Sequence, residues 1–131
     1  MRTSGLQHGR LSAIVAAMGH GDRLVIADTG LPVPRGVECV DLAVCEGVPR
    51  FLDVLRAVAG ELAIEGIVIA RELSDGNPAL AVGIVAITGR QGPLVVPHET
   101  FKELTRDAVA IVRTGEFTPY ANVILTGGVA F

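Results

Sequence analysis

The chain has no tryptophan and one tyrosine, Tyr120, and aromatic residues fill only 4% of its 131 positions. It has no run of lysines and arginines, and 11 basic residues against 14 acidic ones leave a net charge of -3. Nucleic-acid binding draws on a basic stripe and on stacking rings, so both shortages argue against it. Cysteine is nearly absent as well. Cys39 and Cys45 stand six apart with no further partner, which makes neither a zinc framework nor a disulfide scaffold. A reducing compartment fits that usage. No apolar run reaches the roughly 20 residues that cross a bilayer. The apolar patch in "MRTSGLQHGRLSAIVAAMGHGDR" is broken by Gly19, His20 and Gly21 and lacks a signal-peptide cleavage pattern. The expectation is a cytoplasmic protein with neither membrane nor nucleic acid as partner.

What is abundant is apolar. Half the residues are hydrophobic, 19% are charged, and mean hydropathy is +0.50. One domain over 1–131 can bury a core at this length without staples. The apolar excess has two readings, a buried sheet rich in Val and Ile or surface covered by subunit contacts, and it favours the second, an oligomer.

Periodicity gives a coarse order of elements. "LSAIVAAM" places Leu11, Ile14, Val15 and Met18 at helical spacing. "RLVIADTG" reads as a buried strand ending at Asp28, followed by the turn-rich "GLPVPRG" and a second strand in "ECVDLAV". "GVPRFLDVLRAVAGEL" reads as a helix with Pro49 near its start and Gly60 near its end. "AIEGIVIAREL" and "PLVVPH" read as strands. Between them, Pro78 opens a short helix that Gly83 weakens. The strongest helix is expected over Glu99 to Arg113, with Phe101, Leu104, Ala108, Ile111 and Val112 on one face and Gly115 as its stop. "NVILTGGVAF" closes the chain as a strand. Alternation of this kind implies an α/β fold, a mixed or largely parallel sheet flanked by helices.

Few residues are equipped for chemistry. No dinucleotide fingerprint, phosphate loop, zinc-protease helix or nucleophile elbow occurs, so neither metal nor cofactor is expected. What remains is proton transfer or plain binding. His20 sits between two glycines in "MGHGDR"; its ordinary reading is an exposed turn residue. Asp28 ends a buried strand, where ligands of α/β proteins gather, although a turn-initiating Asp before Thr-Gly is common. His98 opens the strongest helix and Lys102 follows on the same side, where a solvated lysine is the plainer account. A histidine after a helix end and another before a helix start are pushed toward opposite charge states, by roughly 0.3–1 kcal/mol each. Such a divergence suits an acid–base pair. Gly127 and Gly128 read as packing glycines in a strand rather than as a phosphate contact.

Two long stretches carry a resemblance. "MGHGDRLVIADTGLPVPRGVECVDLAVCEGVPRFLDVL" and "PHETFKELTRDAVAIVRTGEFTPYANVILTGGVAF" resemble the two signatures of the D-ribose pyranase family, which also holds the L-fucose mutarotases. The complete "GLPVP" and "TPYAN" favour the ribose branch. The resemblance implies an isomerase that interconverts pyranose and furanose forms, and anomers, of D-ribose by acid–base ring opening and reclosure, with no cofactor. It implies His20 as the catalytic proton donor. It implies Asp28, His98, Lys102 and the turn Tyr120, Ala121 and Asn122 as sugar-binding positions. It also implies a ring-like homo-oligomer, a decamer built from pentameric rings, with sites between neighbouring subunits. Two departures stand out: His8, where the family usually has an asparagine, and a stretch from Ala79 to Gly92 that is shorter and more apolar than the usual charged helix. The alternatives are a sugar-binding or transport-regulating subunit without catalysis, a fucose-type mutarotase, and a structural oligomer with a degenerate site. Retention of His20, Asp28, His98, Tyr120 and Asn122 together argues against the last.

Overall fold

A computed structural model describes all residues, 1–131. Its centre is a six-stranded sheet in the order β2-β5-β1-β6-β3-β4. The strands are β1 (Arg23–Ala27), β2 (Glu38–Asp41), β3 (Ile64–Ala70), β4 (Leu94–Val96), β5 (Ala110–Arg113) and β6 (Val123–Gly127). Strands β2, β5 and β1 run parallel, as do β3 and β4, and β6 runs antiparallel between β1 and β3. The sheet is therefore mixed, and β6 alone reverses its direction.

Alternation along the strands divides the core into two layers. Leu24 and Ile26 of β1, Ala110 and Val112 of β5, and Val123 and Leu125 of β6 point to one face. There they meet α1 (Gly9–Ala17), α2 (Phe51–Ala59), α3 (Arg71–Gly76) and α4 (Pro78–Thr88). Val25, Ile111, Ile124 and Val68 point to the other face, against Leu31 and against Phe101 of α5 (His98–Leu104). The central strands are buried on both sides, which is why they read as unbroken Val/Ile/Leu runs.

The helix expected over Glu99 to Arg113 is not one element. α5 stops at Leu104, a 3-10 turn covers Thr105–Asp107, and Ala110–Arg113 forms β5. Ile111 and Val112 fit a helical face by spacing, but β-branched residues also fit a strand. The slot between β1 and β2 decides, because there Ile111 pairs with Val25 and Cys39 and its side chain is fully buried. Gly115 accordingly stops no helix. A Cβ there would stand 2.3 Å from the Val48 carbonyl oxygen, so it is a point of close backbone approach. The strand expected over "AIEGIVIAREL" ends at Ala70, and α3 takes over. The weak helix after Pro78 is instead the longest in the chain, at 11 residues. Asn77 caps it by accepting from the Leu80 N–H, Pro78 suits its first turn, and Gly89 ends it in the left-handed conformation.

His8 has a place in this scheme. Its Nδ1 accepts the Leu11 N–H at 3.1 Å and so caps α1, work for which asparagine is a preferred residue.

Candidate active site

One edge of the sheet gathers polar groups. It is formed by the carboxyl ends of β1, β5, β3 and β4 and by the start of β6. Asp28 follows β1. The antiparallel register that sets Ile26 opposite Val123 brings it beside Asn122, at the entrance to β6. The Asn122 side chain is completely buried. Its Oδ1 accepts the Asp28 N–H at 2.8 Å, and its Nδ2 donates to Asp28 Oδ2 at 3.3 Å. Asp28 Oδ1 in turn accepts from Gly30 and Leu31 N–H, both at 2.9 Å. The carboxylate is thus fixed from both sides before any ligand arrives.

The turn that precedes Asn122 is fixed as firmly. Tyr120 has φ 63°, a conformation that side chains other than Gly, Asn and Asp seldom adopt, and its carbonyl accepts the Asn122 N–H at 2.8 Å. Strain of this kind collects at ligand sites. The Tyr120 ring meets the His98 ring edge-on at 5.0 Å between centroids. His98 begins α5, and its backbone N–H is clamped by both oxygens of Glu72, each at 3.1 Å. Its Nδ1 is buried and has no hydrogen-bond partner within the chain. A buried ring nitrogen left unpaired is costly unless something polar meets it.

Asp28, Gly30, Leu31, His98, Pro119 and Tyr120 line a cleft of about 230 Å³. It offers a carboxylate, an imidazole and a phenol from three separate elements, donors and acceptors suited to the hydroxyls of a small polar ligand. Ala121 lies fully buried under the turn and, with Asn122, supports the cleft without lining it. Lys102, the chain's only lysine, reaches Glu99 at 2.8 Å and lines an adjoining cleft of about 390 Å³ between residues 32–35 and α5. Its hydrogen bond and its charge hold the Glu99 carboxyl below the usual range.

His20 lies elsewhere. It sits before β1, on the loop whose Gly21 N–H bonds to the Gly127 carbonyl at the far end of β6. The five residues of β1 separate it from Asp28 by about 17 Å at the usual strand rise. Within one chain the expected acid and the expected sugar contacts therefore occupy opposite edges of the sheet.

The sequence points to no role for Glu116, which the structure bonds to Thr29, next to Asp28, and to Thr118, two residues before Tyr120. Glu116 is 7% exposed. Its carboxylate accepts from Phe51 N–H at 3.2 Å, from the Thr118 hydroxyl at 2.9 Å and from Arg50 at 3.3 Å. Its carbonyl oxygen takes the Thr29 N–H and hydroxyl. Burial pushes this carboxyl upward, but the Phe51 N–H, the two Thr118 donors and Arg50 outweigh it, and the net displacement is downward. One residue thus ties the loop after Asp28, the turn before Asn122 and the start of α2 together. Glu116 stood in plain view in "RTGEFTPYAN", but an acidic residue between Gly and Phe gives no sign of which N–H groups will surround it. Glu72 was hidden more thoroughly, because "AREL" read as the end of a strand.

The family model described as "RbsD / FucU transport protein family" matches residues 1–130. A curated relative from Symbiobacterium thermophilum, named D-ribose pyranase, is 50% identical over 131 residues, and the alignment covers all of both chains. That end-to-end match leaves no deletion between Ala79 and Gly92 relative to this protein. Among solved structures, Bacillus subtilis RbsD complexed with D-ribose superposes with a TM-score of 0.94 at 44% identity, covering 100% of both chains. The Streptococcus pneumoniae fucose mutarotase in complex with L-fucose shares the fold, with a TM-score of 0.72 at 24% identity over 95% of this chain and 94% of that one.

Proposed function

Because the chain belongs to the RbsD / FucU transport protein family, we propose that its Asp28–His98–Tyr120 cleft is the sugar site of a D-ribose pyranase. The protein is an isomerase that interconverts the pyranose and furanose forms of D-ribose. One observation carries this reading. The polar cleft, with its unpaired His98 Nδ1, stands on a chain that matches a D-ribose complex end to end at 44% identity. The fucose-type reading draws only on likeness at 24% identity.

The chemistry asks little of the protein beyond placed proton donors and acceptors. A base takes the proton of the anomeric hydroxyl, the carbon–ring-oxygen bond breaks, and an acid protonates the departing ring oxygen. The open aldehyde then recloses through a different hydroxyl to give the furanose, or through the same hydroxyl on its other face to give the other anomer. Protons taken and given balance over the cycle, and acid–base help of this kind supplies about 10²–10⁴-fold. His20 gives and recovers the proton. Asp28, held by Asn122, orients a sugar hydroxyl. Tyr120 and His98 supply the directional contacts, and Lys102 approaches from the adjoining cleft. Ala121 and Asn122 shape the turn.

His20 reaches this site from a second copy. The separation of the two edges within one chain supports a head-to-tail arrangement in which one subunit's His20 edge faces the next subunit's cleft. Contacts of that type close into rings, here pentamers paired as a decamer in the cytoplasm. Val44, Val82, Leu94 and Phe117 are large apolar side chains left exposed on the single chain, as an assembling protein requires. No helix is long and apolar enough to cross a membrane.

The test measures ring-form exchange of ribose by saturation-transfer NMR and binding by calorimetry on the same samples. His20→Ala abolishes exchange and leaves binding measurable. Exchange at the parent rate in that variant refutes His20 as the acid, and ribose binding without exchange in the parent protein makes the chain a binding subunit instead.

A further inference from the structure

The edge that carries His20 is built as deliberately as the cleft, and around one carboxylate. His20 Nε2 lies 2.8 Å from Glu65 Oε2. Glu65 occupies an irregularity in β3: the β3–β6 register shifts between Ile64 and Gly66, so Glu65 is the extra residue of a bulge. Bulges bend a strand and re-aim a side chain, and they recur beside active sites. The strand opposite is cut away to admit this arrangement. A Cβ on Gly128 would stand 3.0 Å from the Glu65 Cβ, and one on Gly127 would stand 2.9 Å from the Gly19 carbonyl oxygen. The loop is pinned as well, since Asp22 accepts the Gly19 N–H at 2.8 Å and Gly127 exchanges backbone hydrogen bonds with Gly21 and Asp22.

We infer that Glu65 is the positioning residue of the proton donor: it holds the His20 ring through Nε2 and leaves Nδ1 as the nitrogen that exchanges the proton with the sugar. An ionised carboxylate can only accept, so Nε2 carries a hydrogen in both charge states of the ring. The mobile proton is then confined to Nδ1, present when His20 acts as acid and absent after it has donated. The same hydrogen bond removes the ring's freedom to flip, which an exposed histidine between two glycines otherwise keeps. Both side chains of the pair are exposed, at 66% and 44%. Exposed ion pairs contribute little to folding, so stability does not account for a bulge and two glycines devoted to forming one. A carboxylate behind an imidazole, fixing its orientation and tautomer, is the arrangement that acid–base sites use repeatedly.

This inference rests on His20 as the acid, and its test separates the two. Glu65→Ala and Glu65→Gln are compared with the parent and with His20→Ala. Long-range proton–nitrogen correlation spectra of the free protein, at a pH where the ring is neutral, report which His20 nitrogen is protonated. Ring-form exchange is measured as kcat and KM. The parent ring is expected wholly in the Nε2–H form, with the Nδ1–H form appearing in Glu65→Ala. The kcat of Glu65→Ala falls about tenfold or more, a part of the whole acid–base contribution, while KM changes little. Glu65→Gln keeps an acceptor and falls less. If both Glu65 variants keep the parent tautomer and the parent kcat while His20→Ala is inactive, Glu65 has no positioning role. Should His20→Ala remain active, the assignment of the acid fails first and the role of Glu65 falls with it.

Discussion

Asn122 looks, by residue type, like a side chain that binds sugar, yet both ends of its amide are already engaged by Asp28. In the proposed sugar site its contribution to binding would pass through that carboxylate. Asn122→Ala leaves the Asp28 N–H without its acceptor and opens a small void under the turn. The expected loss is about 1–3 kcal/mol of folding stability, the usual cost of stranding a buried polar group. Ribose affinity falls alongside it. Denaturant unfolding and calorimetry on one preparation check both; unchanged stability with weakened binding would instead put Asn122 directly on the sugar. The two cysteines differ in a similar way. Cys45 is exposed, while burial pushes the Cys39 thiol up, with Arg113 opposing and Asp41 adding to that shift.

At the scale of elements, sequence periodicity located five of the six strands but took β5 for the end of a helix, and it missed α3. β1, β3 and β6 were legible because residues enclosed on both faces leave continuous apolar runs. Asp28 and His98 were legible because they sit where apolar runs stop. The segment from Glu99 to Arg113 was not, since Phe101, Leu104, Ala108, Ile111 and Val112 satisfy helical spacing while the last two are claimed by a long-range slot in the sheet. The resemblance supplied His20 and the 120–122 turn; it left out Glu72, Glu116 and Glu65, whose partners lie 26, 65 and 45 residues away in sequence. Glu116 binds three elements into one unit, and its carboxyl is displaced below the ordinary value of 4.5. A lowered folded value means that its ionised form stabilises the protein fully above the unfolded value. That contribution is lost as pH falls through the lower, folded one. Glu116→Gln therefore unfolds more readily at neutral pH, by about 1–3 kcal/mol for a buried charged hydrogen-bonding group. The gap to the parent narrows on acidification below 4.5. Chemical denaturation of both proteins across that range measures it, and a gap independent of pH would mean that shape rather than charge holds the three elements.

For the whole molecule, the decisive fact is that His20 and Glu65 crown one edge of the sheet while Asp28, His98 and Tyr120 crown the other. A single chain cannot bring them together without taking apart β1, whose Leu24, Val25 and Ile26 are fully buried. A head-to-tail neighbour can, and the proposed assembly would then carry a signature that no intrachain site shares. On the head-to-tail arrangement proposed above, each active site of a mixed ring would draw His20 from one subunit and the cleft from the next. His20→Ala and His98→Ala homo-oligomers are each expected to be inactive, because every interface in them lacks one half. When the two variants are unfolded together in equal amounts and refolded, random neighbours restore both intact halves at one interface in four. Exchange activity should then return to about a quarter of the parent value in a closed heterologous ring. Refolding each variant alone controls for the procedure, and light scattering confirms that the mixture reaches the size of the parent assembly. Activity that stays at the level of the separate variants in a fully assembled mixture would place acid and cleft in the same subunit. The chain would then have to bend the His20 loop across the sheet, contrary to the hydrogen bonds that tie it to Gly127.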